Sequence, residues 1–407
     1  MITLWRMAYR NLGRNRRRSV LTLVAVTLGM GLLVVLASFV KGEIGASLRN
    51  SIRLQTGHVQ VREESYEKEQ LSLAWEDLLE NPRDLAARAE ALEEVRVATP
   101  VLWANGILST REESVGARVV GIDPRSEAYA PFREGLTAGQ FLDPEDRGGI
   151  LLGQRLAESL ELSVGSDVSL LVSTANQQPD EAIFTIRGLY DTGVPVHDET
   201  TVILPLDKAQ AFTRAEDRAS AVWMLLHDRE EAEDVVTALG APQLEVVTWR
   251  ELNFALLNAV EQSMGIMVLM YLVMLAVVAV IIANTLLMAV FERTQEMGIL
   301  AALGMKGRQI LAMFLLEAGT LGAIGVLLGI VLGGLGVLYL ATIGVHIGDL
   351  TQVAYSDMAL PSTIYAEFAV QETILLSIAS LVITILASLY PAWLGARMEP
   401  AEALRAL

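Results

Sequence analysis

The chain has 407 residues, a mean hydropathy of +0.42, a formal net charge of −17 and no cysteine. The charge argues against nucleic acid as a partner. The missing cysteine excludes disulfides, thiolate metal sites, cysteine nucleophiles and a cysteine-borne lipid anchor, while the hydropathy is that of a chain with membrane segments.

In chain order, residues 1–18 form a basic segment with six arginines and no acid. Residues 19–40 follow without a charge and are long enough to cross a bilayer, which takes about 20 apolar residues. This stretch exceeds the apolar core of a signal peptide and no small-x-small cleavage site follows it, so an uncleaved first span is expected. Residues 41–262 then hold 39 acids against 20 Lys and Arg. Such a contrast with the leader places the two on opposite sides of a membrane.

The 41–262 segment reads as an α+β domain. Short alternating or β-branched runs at His58–Val61, Ala117–Gly121, Val168–Val172, Ile183–Leu189, Thr201–Leu204 and Val222–Leu226 predict strands. Helices are expected from Asn81-Pro82, where a cap precedes a first-turn proline, and at Gln154–Leu160 and Glu230–Leu239. Residues 62–95 read as a helical, charged, partly separate lobe. The flanks Lys41–Asn50 and Trp249–Gln262 lack proline and glycine runs, so both are expected to be uninterrupted helical stalks that join the domain to the first two spans.

Three further spans are predicted at 263–291, 310–340 and 372–396. All three exceed what a bilayer needs, so they tilt or protrude. The connection at 292–309 carries Arg293, Lys306 and Arg308, and the tail at 397–407 carries Arg397 and Arg405. The 341–371 loop holds Asp349, Asp357 and Glu367 and no Lys or Arg. With the basic leader, this distribution predicts both termini in the cytoplasm and the domain and loop outside. The expected fold is therefore a four-span α-helical membrane protein with one α+β extracytoplasmic domain inserted between the first and second spans.

Within the third predicted span, Gly322, Gly325, Gly329 and Gly333 predict a close helix–helix seam, either inside the subunit or at a dimer interface. Glu317 lies about 10 Å from the cytoplasmic end of that span at 1.5 Å per residue. An acid at that depth is a functional candidate, with the alternative of a packing residue near Asn284. A proton-coupling role needs a second acid, and apart from Glu372, the first residue of the fourth predicted span, none lies within the spans. For enzyme chemistry the signals are negative. His58, His197, His227 and His346 are scattered, and the acid pairs Glu63-Glu64, Glu93-Glu94 and Glu230-Glu231 read as solvated surface. No G-x-S-x-G elbow and no G-x-x-x-x-G-K-[ST] phosphate loop is present.

The stretch Glu292-Arg293-Thr294-Gln295-Glu296-Met297-Gly298-Ile299-Leu300-Ala301-Ala302-Leu303-Gly304 resembles the E-R-x-x-E-I/M-G-I-L-x-A-L-G signature of the FtsX-like permease family of ABC transporters. That family includes MacB-like exporters and the lipoprotein-releasing (LolC/LolE-type) permeases. Three other stretches match in order. Tyr390–Arg405 resembles the family ending P-A-x-x-A-A-R-x-x-P-x-E-A-L-R, Leu152–Val168 resembles G-x-x-L-A-x-x-L-x-L-x-x-G-D-x-V with Ser166 inserted, and Val119–Pro124 resembles V-x-G-I-D-P. Together they cover nearly the whole chain, and the layout from Gly121 to Trp249-Arg250-Glu251-Leu252 looks closer to the lipoprotein-releasing permeases than to MacB.

The resemblance implies that 292–309 is a cytoplasmic coupling helix docking on an ATPase, with Glu292, Arg293, Glu296, Gly298, Leu300, Leu303, Gly304, Lys306 and Arg308 as the coupling residues. Residue spacing agrees with such a helix. Glu292, Arg293 and Glu296 can share a surface, Met297, Leu300 and Ala301 can face the membrane, and Gly304 can end the helix. The chain itself is then expected to bind no cofactor. ATP and Mg belong to a separate ATPase dimer, and a second permease, identical or paralogous, completes the complex. A periplasmic carrier or membrane-fusion protein is a further partner of such systems, although the Ser173–Ala182 loop is short where one lipoprotein-releasing subunit has a carrier-gripping hook. The implied function is mechanotransmission in the bacterial inner membrane for lipoprotein release or export of lipids and amphipathic substrates. MacB-like efflux with a membrane-fusion protein, and FtsX-like signalling to a wall hydrolase without transport, are the alternatives.

Overall fold

The computed structural model describes residues 16–66, 71–146, 148–240, 243–347 and 360–397. Most of the basic leader, Asp349, Asp357 and the tail with Arg405 lie outside the described residues. The chain divides into two units. One takes in residues through Ile44, Val260–Val345 and those from Ile364 onward; the other comprises Gly45–Ala259 and His346–Thr363.

The first unit is helical because its segments are apolar on every side and must satisfy their own backbone. Helices α1 (Arg16–Ser51), α9 (Phe254–Glu292), α11 (Gly307–Ile343) and α12 (Val370–Ala396) are each long and apolar enough to cross a membrane. Their outward faces keep large apolar side chains exposed, such as Leu21, Leu28 and Leu32 on α1 and Leu327, Val331 and Leu335 on α11. On a water-soluble protein such a surface would drive association. Inside, Met30, Val34, Ile282 and Val326 belong to one core cluster. The inward face of α12 runs Leu376, Ser380, Thr384, Ser388 and Ala392, and Thr384 and Ser388 return their hydroxyl hydrogens to carbonyls one turn earlier. Small, internally satisfied residues let this helix approach closely.

The glycine seam lies within this unit. A Cβ at Gly329 would sit 2.6 Å from Met30 Cβ, and one at Gly333 would sit 2.8 Å from both Val34 Cβ and the Gly31 carbonyl. Gly325 meets Val26, and Thr27 Oγ1 donates to the Gly325 carbonyl at 3.3 Å. These three glycines therefore seat α1 on α11. Gly322 instead faces Thr384 of α12.

The inserted unit is built on a ten-stranded sheet. Its strands are β1 (Val59–Glu63), β3 (Val95–Ser109), β4 (Ser114–Ile122), β5 (Leu136–Gly139), β6 (Gly149–Gly153), β7 (Asp167–Ser173), β8 (Pro179–Tyr190), β9 (Thr201–Pro205), β11 (Ala221–Leu226) and β12 (Leu244–Thr248), while β2 (Leu79–Glu80) and β10 (Arg218–Ala219) pair with each other as a separate short sheet. Their order is β12-β1-β11-β3-β4-β9-β6-β8-β5, with β7 pairing both β3 and β8. The 15-residue β3 joins two halves: its first part pairs β11 and its second part pairs β4 and β7. Helices α2 (Pro82–Glu90), α3 (Ala130–Glu134), α4 (Gln154–Ser159), α5 (Pro195–Thr200), α6 (Leu206–Thr213), α7 (Ala232–Leu239) and α8 (Trp249–Leu252) lie among the strands. Two of the matched motif glycines mark close approaches. Gly121 leaves only 2.5 Å between an added Cβ and Ala209 of α6, and Gly153 lies against the backbone of Asp198.

Two expectations are corrected, and a third, that the Ser173–Ala182 loop is short, holds. Residues 62–95 are not a separate helical lobe: among the described residues of this stretch the α-helix is α2, whose Leu85, Ala86 and Ala89 sit in the domain's main core. The Ser173–Ala182 loop is a tight hairpin in which Thr174 N–H donates to Gln178 at 2.9 Å, and β8 already starts at Pro179. The second stalk is interrupted at Asn253, between α8 and α9. There the side chain of Asn253 bonds to the Trp249 carbonyl at 2.7 Å, to Thr56 Oγ1 at 3.2 Å and to the Ser51 hydroxyl. Side-chain bonds of this kind compete with helix continuation.

Candidate functional site

The stretch between the second and third spans folds as α10 (Thr294–Ala302), nine residues long. It stops where glycine permits a left-handed turn: Gly304 has φ +93°, its N–H donates to Ala301 at 3.0 Å, and Met305 N–H donates to Leu300 at 3.0 Å. This is a Schellman end, which satisfies carbonyls that α10 leaves open. The next helix starts at once. Gln309 Oε1 accepts from Lys306 N–H at 2.9 Å and Gln309 N–H donates to the Lys306 carbonyl at 2.8 Å.

Two sets of side chains separate on α10. Met297 and Gly298 are buried, and Met297 packs with Val290 of α9, Phe314 of α11 and Ala392 of α12. Gly395 completes this cluster: an added Cβ would lie 3.3 Å from Met297, Phe314 and Val290 alike. Glu292, Glu296, Leu303, Lys306 and Arg308 are exposed, with Leu303 at 80%. Leu300 is half-buried. Met297 thus packs against protein rather than facing lipid, contrary to the sequence expectation.

Arg293 also departs from expectation. It is 4% exposed and does not share the outer surface with Glu292 and Glu296. Its Nη1 lies 3.1 Å from Oε2 of Glu317, which is fully buried. A partner of Glu317 is therefore this arginine, the residue that follows α9, where the sequence points to Asn284. A buried carboxylate is tolerated when a charge and hydrogen bonds meet it, and a guanidinium supplies both in a fixed planar fork. The pair ties the start of α10 to α11. Sequence reasoning treated Arg293 and Glu317 separately. The signal was one unmatched acid inside a span and one arginine at the adjacent span end.

The C-terminal motif supplies the other contact. Gly307, at the start of α11, leaves 2.8 Å between an added Cβ and the carbonyl of Ala396. The two sequence signatures, about 100 residues apart, therefore pack as one structure: α10 rests on the ends of α9, α11 and α12 and turns an acidic and apolar face outward.

Comparison with known proteins gives the following. Residues 19–241 match the model of the MacB-like periplasmic core domain, and residues 268–400 match that of the FtsX-like permease C-terminal region. The lipoprotein-releasing system transmembrane protein LolC of Neisseria meningitidis serogroup B is 27% identical over 418 residues, covering 96% of this chain and 95% of that protein. The corresponding LolE of Haemophilus influenzae is 23% identical, covering 94% and 92%. The crystal structure of the periplasmic region of MacB from Actinobacillus actinomycetemcomitans aligns with a TM-score of 0.34 and 14% identity over 54% of this chain and 97% of that one.

Proposed function

The chain belongs to the family carrying the MacB-like periplasmic core domain followed by an FtsX-like permease C-terminal region, and from that premise we propose that it is the permease subunit of an ATP-driven lipoprotein-releasing transporter. ATP and Mg are held by a separate ATPase dimer, and a second permease completes the membrane part. The chain resides in the inner membrane with both termini in the cytoplasm and the inserted domain in the periplasm. Its similarity to LolC and LolE along nearly their whole length supports lipoprotein release over macrolide efflux or wall-hydrolase signalling.

The observation that carries the reading is the build of α10. It is clamped by the Arg293–Glu317 pair and the Met297 cluster, and it offers Glu296 and Leu303 to a partner. It follows α9, one unbroken helix of 39 residues, about 58 Å at 1.5 Å per residue. A push on α10 by closing ATPase subunits is then passed along α9 toward Phe254, where the inserted domain begins. Stiff, packed elements shift as bodies rather than deform continuously.

The test is co-purification of the ATPase with Glu296→Lys and Leu303→Asp variants, together with ATP turnover and lipoprotein release in proteoliposomes. Loss of ATPase association with the inserted domain still folded is the expected result. Unchanged association and turnover in both variants would sink the coupling assignment.

A further inference from the structure

The inserted domain contains a cavity of about 550 Å³ whose floor is one face of its central strands. Register explains the floor. Trp103 lies opposite Val120, Asn105 lies opposite Arg118, and Arg118 is level with Thr201 on the parallel neighbour β9. Side chains at matched positions share a face. Over this floor sit the rings of Tyr129, Phe132 and His197. Tyr129 is 5.5 Å from Trp223 between centroids, and Phe132 meets His197 edge-on at 6.4 Å. Leu54 and Ala255 close one side; the first follows α1 by three residues and the second is in the first turn of α9.

Three properties point to a ligand. The volume falls within the range of about 300–1,000 Å³ usual for small-molecule sites. A buried polar side chain lines the cavity without partners among the described residues: both ring nitrogens of His197, which is 5% exposed. Such groups are rare because each forfeits its hydration. The electrostatics are selective as well. In a chain of net charge −17, no Asp or Glu among the described residues lines this cavity, and the exposed Arg118 is the one arginine or lysine among them that does.

We propose that this cavity binds a single-chain amphiphile with an anionic head. The acyl chain lies on Trp103, Val120 and Phe132, the carboxylate or phosphate meets Arg118, and polar atoms of the neck reach His197 and Thr201. An extended peptide is disfavoured because β3, β4 and β9 are interior strands whose backbone groups are spent on one another, leaving no edge for strand addition. Contact with Leu54 and Ala255 lets occupancy be felt where the chain passes into α1 and α9. The site requires only the inserted domain and is independent of how α10 meets an ATPase.

The test uses the full chain in nanodiscs of zwitterionic phospholipid with a diazirine-bearing palmitate, photolysed and mapped by peptide mass spectrometry. Adducts are expected on peptides containing Trp103 and Val196, displaced by unlabelled palmitate and reduced several-fold by Val120→Trp, with tryptophan fluorescence checking the fold. Val196→Phe, which fills the cavity from the opposite wall, repeats the test should Val120→Trp unfold. Arg118→Glu is expected to reduce labelling by the carboxylate several-fold and to leave labelling by the matching alcohol unchanged. Adducts confined to α1, α9, α11 and α12, or labelling that neither filling variant lowers, would overturn the site. An equal effect of Arg118→Glu on acid and alcohol would overturn the anionic-head assignment.

Discussion

A single buried ion pair and a few buried titratable groups set much of this molecule's sensitivity to substitution. Removing one member of the Arg293–Glu317 pair strands the other charge out of water, which costs about 3–5 kcal/mol in comparable sites. Arg293→Met or Glu317→Leu alone should therefore lower the thermal unfolding temperature of the full chain in nanodiscs more than the double variant does; equal or additive losses would count against a buried pair. In the inserted domain, His58 accepts the Leu226 N–H on Nδ1 at 2.8 Å. Burial chiefly, with Arg229 and Arg96 nearby, pushes its pKa down from 6.5 to about 4. The folded state thus resists a proton that the unfolded chain takes up readily, so this contribution is full above pH 6.5 and is lost as the pH falls toward 4. Asp198 works in the opposite sense. Burial raises its pKa from 3.8 to about 7, so its contribution is full below pH 3.8 and is lost as the pH rises through 7. Thermal unfolding followed by tryptophan fluorescence should show the acid limb flattened in His58→Asn and the neutral-to-alkaline limb flattened in Asp198→Asn. The second asparagine keeps an acceptor for the two Thr192 bonds at 2.9 and 2.8 Å.

At the scale of elements, the seam between α1 and α11 rests on absent side chains. Gly329→Leu and Gly333→Leu place bulk where Met30, Gly31 and Val34 already sit, so α1 is pushed off and folded yield in detergent should fall several-fold. Gly319→Leu, on the same helix with nothing within 4 Å of its added Cβ, should leave the yield nearly unchanged, and the contrast checks the seam. The other element-scale device is Asn253, which joins the end of α1, the following turn at Thr56 and the break before α9. If helix motion reaches the domain through this junction, Asn253→Ala should leave ATPase association intact while lowering lipoprotein release per ATP; parallel loss of both would mark a purely structural role. The spans were readable from the sequence because a bilayer demands a run of apolar residues. The seam was readable as a pattern, although its partner helix was not. The break at Asn253 was invisible, since asparagine is tolerated in helices and only its contacts with Ser51 and Thr56 end this one.

For the whole molecule, the absence of native cysteine makes the proposed topology directly checkable. A membrane-impermeant maleimide should label Asp180→Cys in cells whose outer membrane has been opened, and should label Lys306→Cys only after the inner membrane is breached. The reverse order would invert the machine. Composition and periodicity alone determined four apolar helices, an acidic α+β insertion after the first and a conspicuous motif before the third, because those features follow from local hydropathy and charge. They also located six of the ten strands of the main sheet, though not β5, β6, β12 or β3; in β3, Pro100 and Gly106 mask the pattern while pairing on both sides sustains the strand. Only the tertiary structure decided that Arg293 turns inward to Glu317, that the two distant motifs share the Met297 cluster, and that one sheet face encloses an aromatic cavity. Each of these depends on residues far apart in the chain meeting at a few ångströms. A one-dimensional pattern carries the cost of exposing a side chain but not the identity of the group that will cover it.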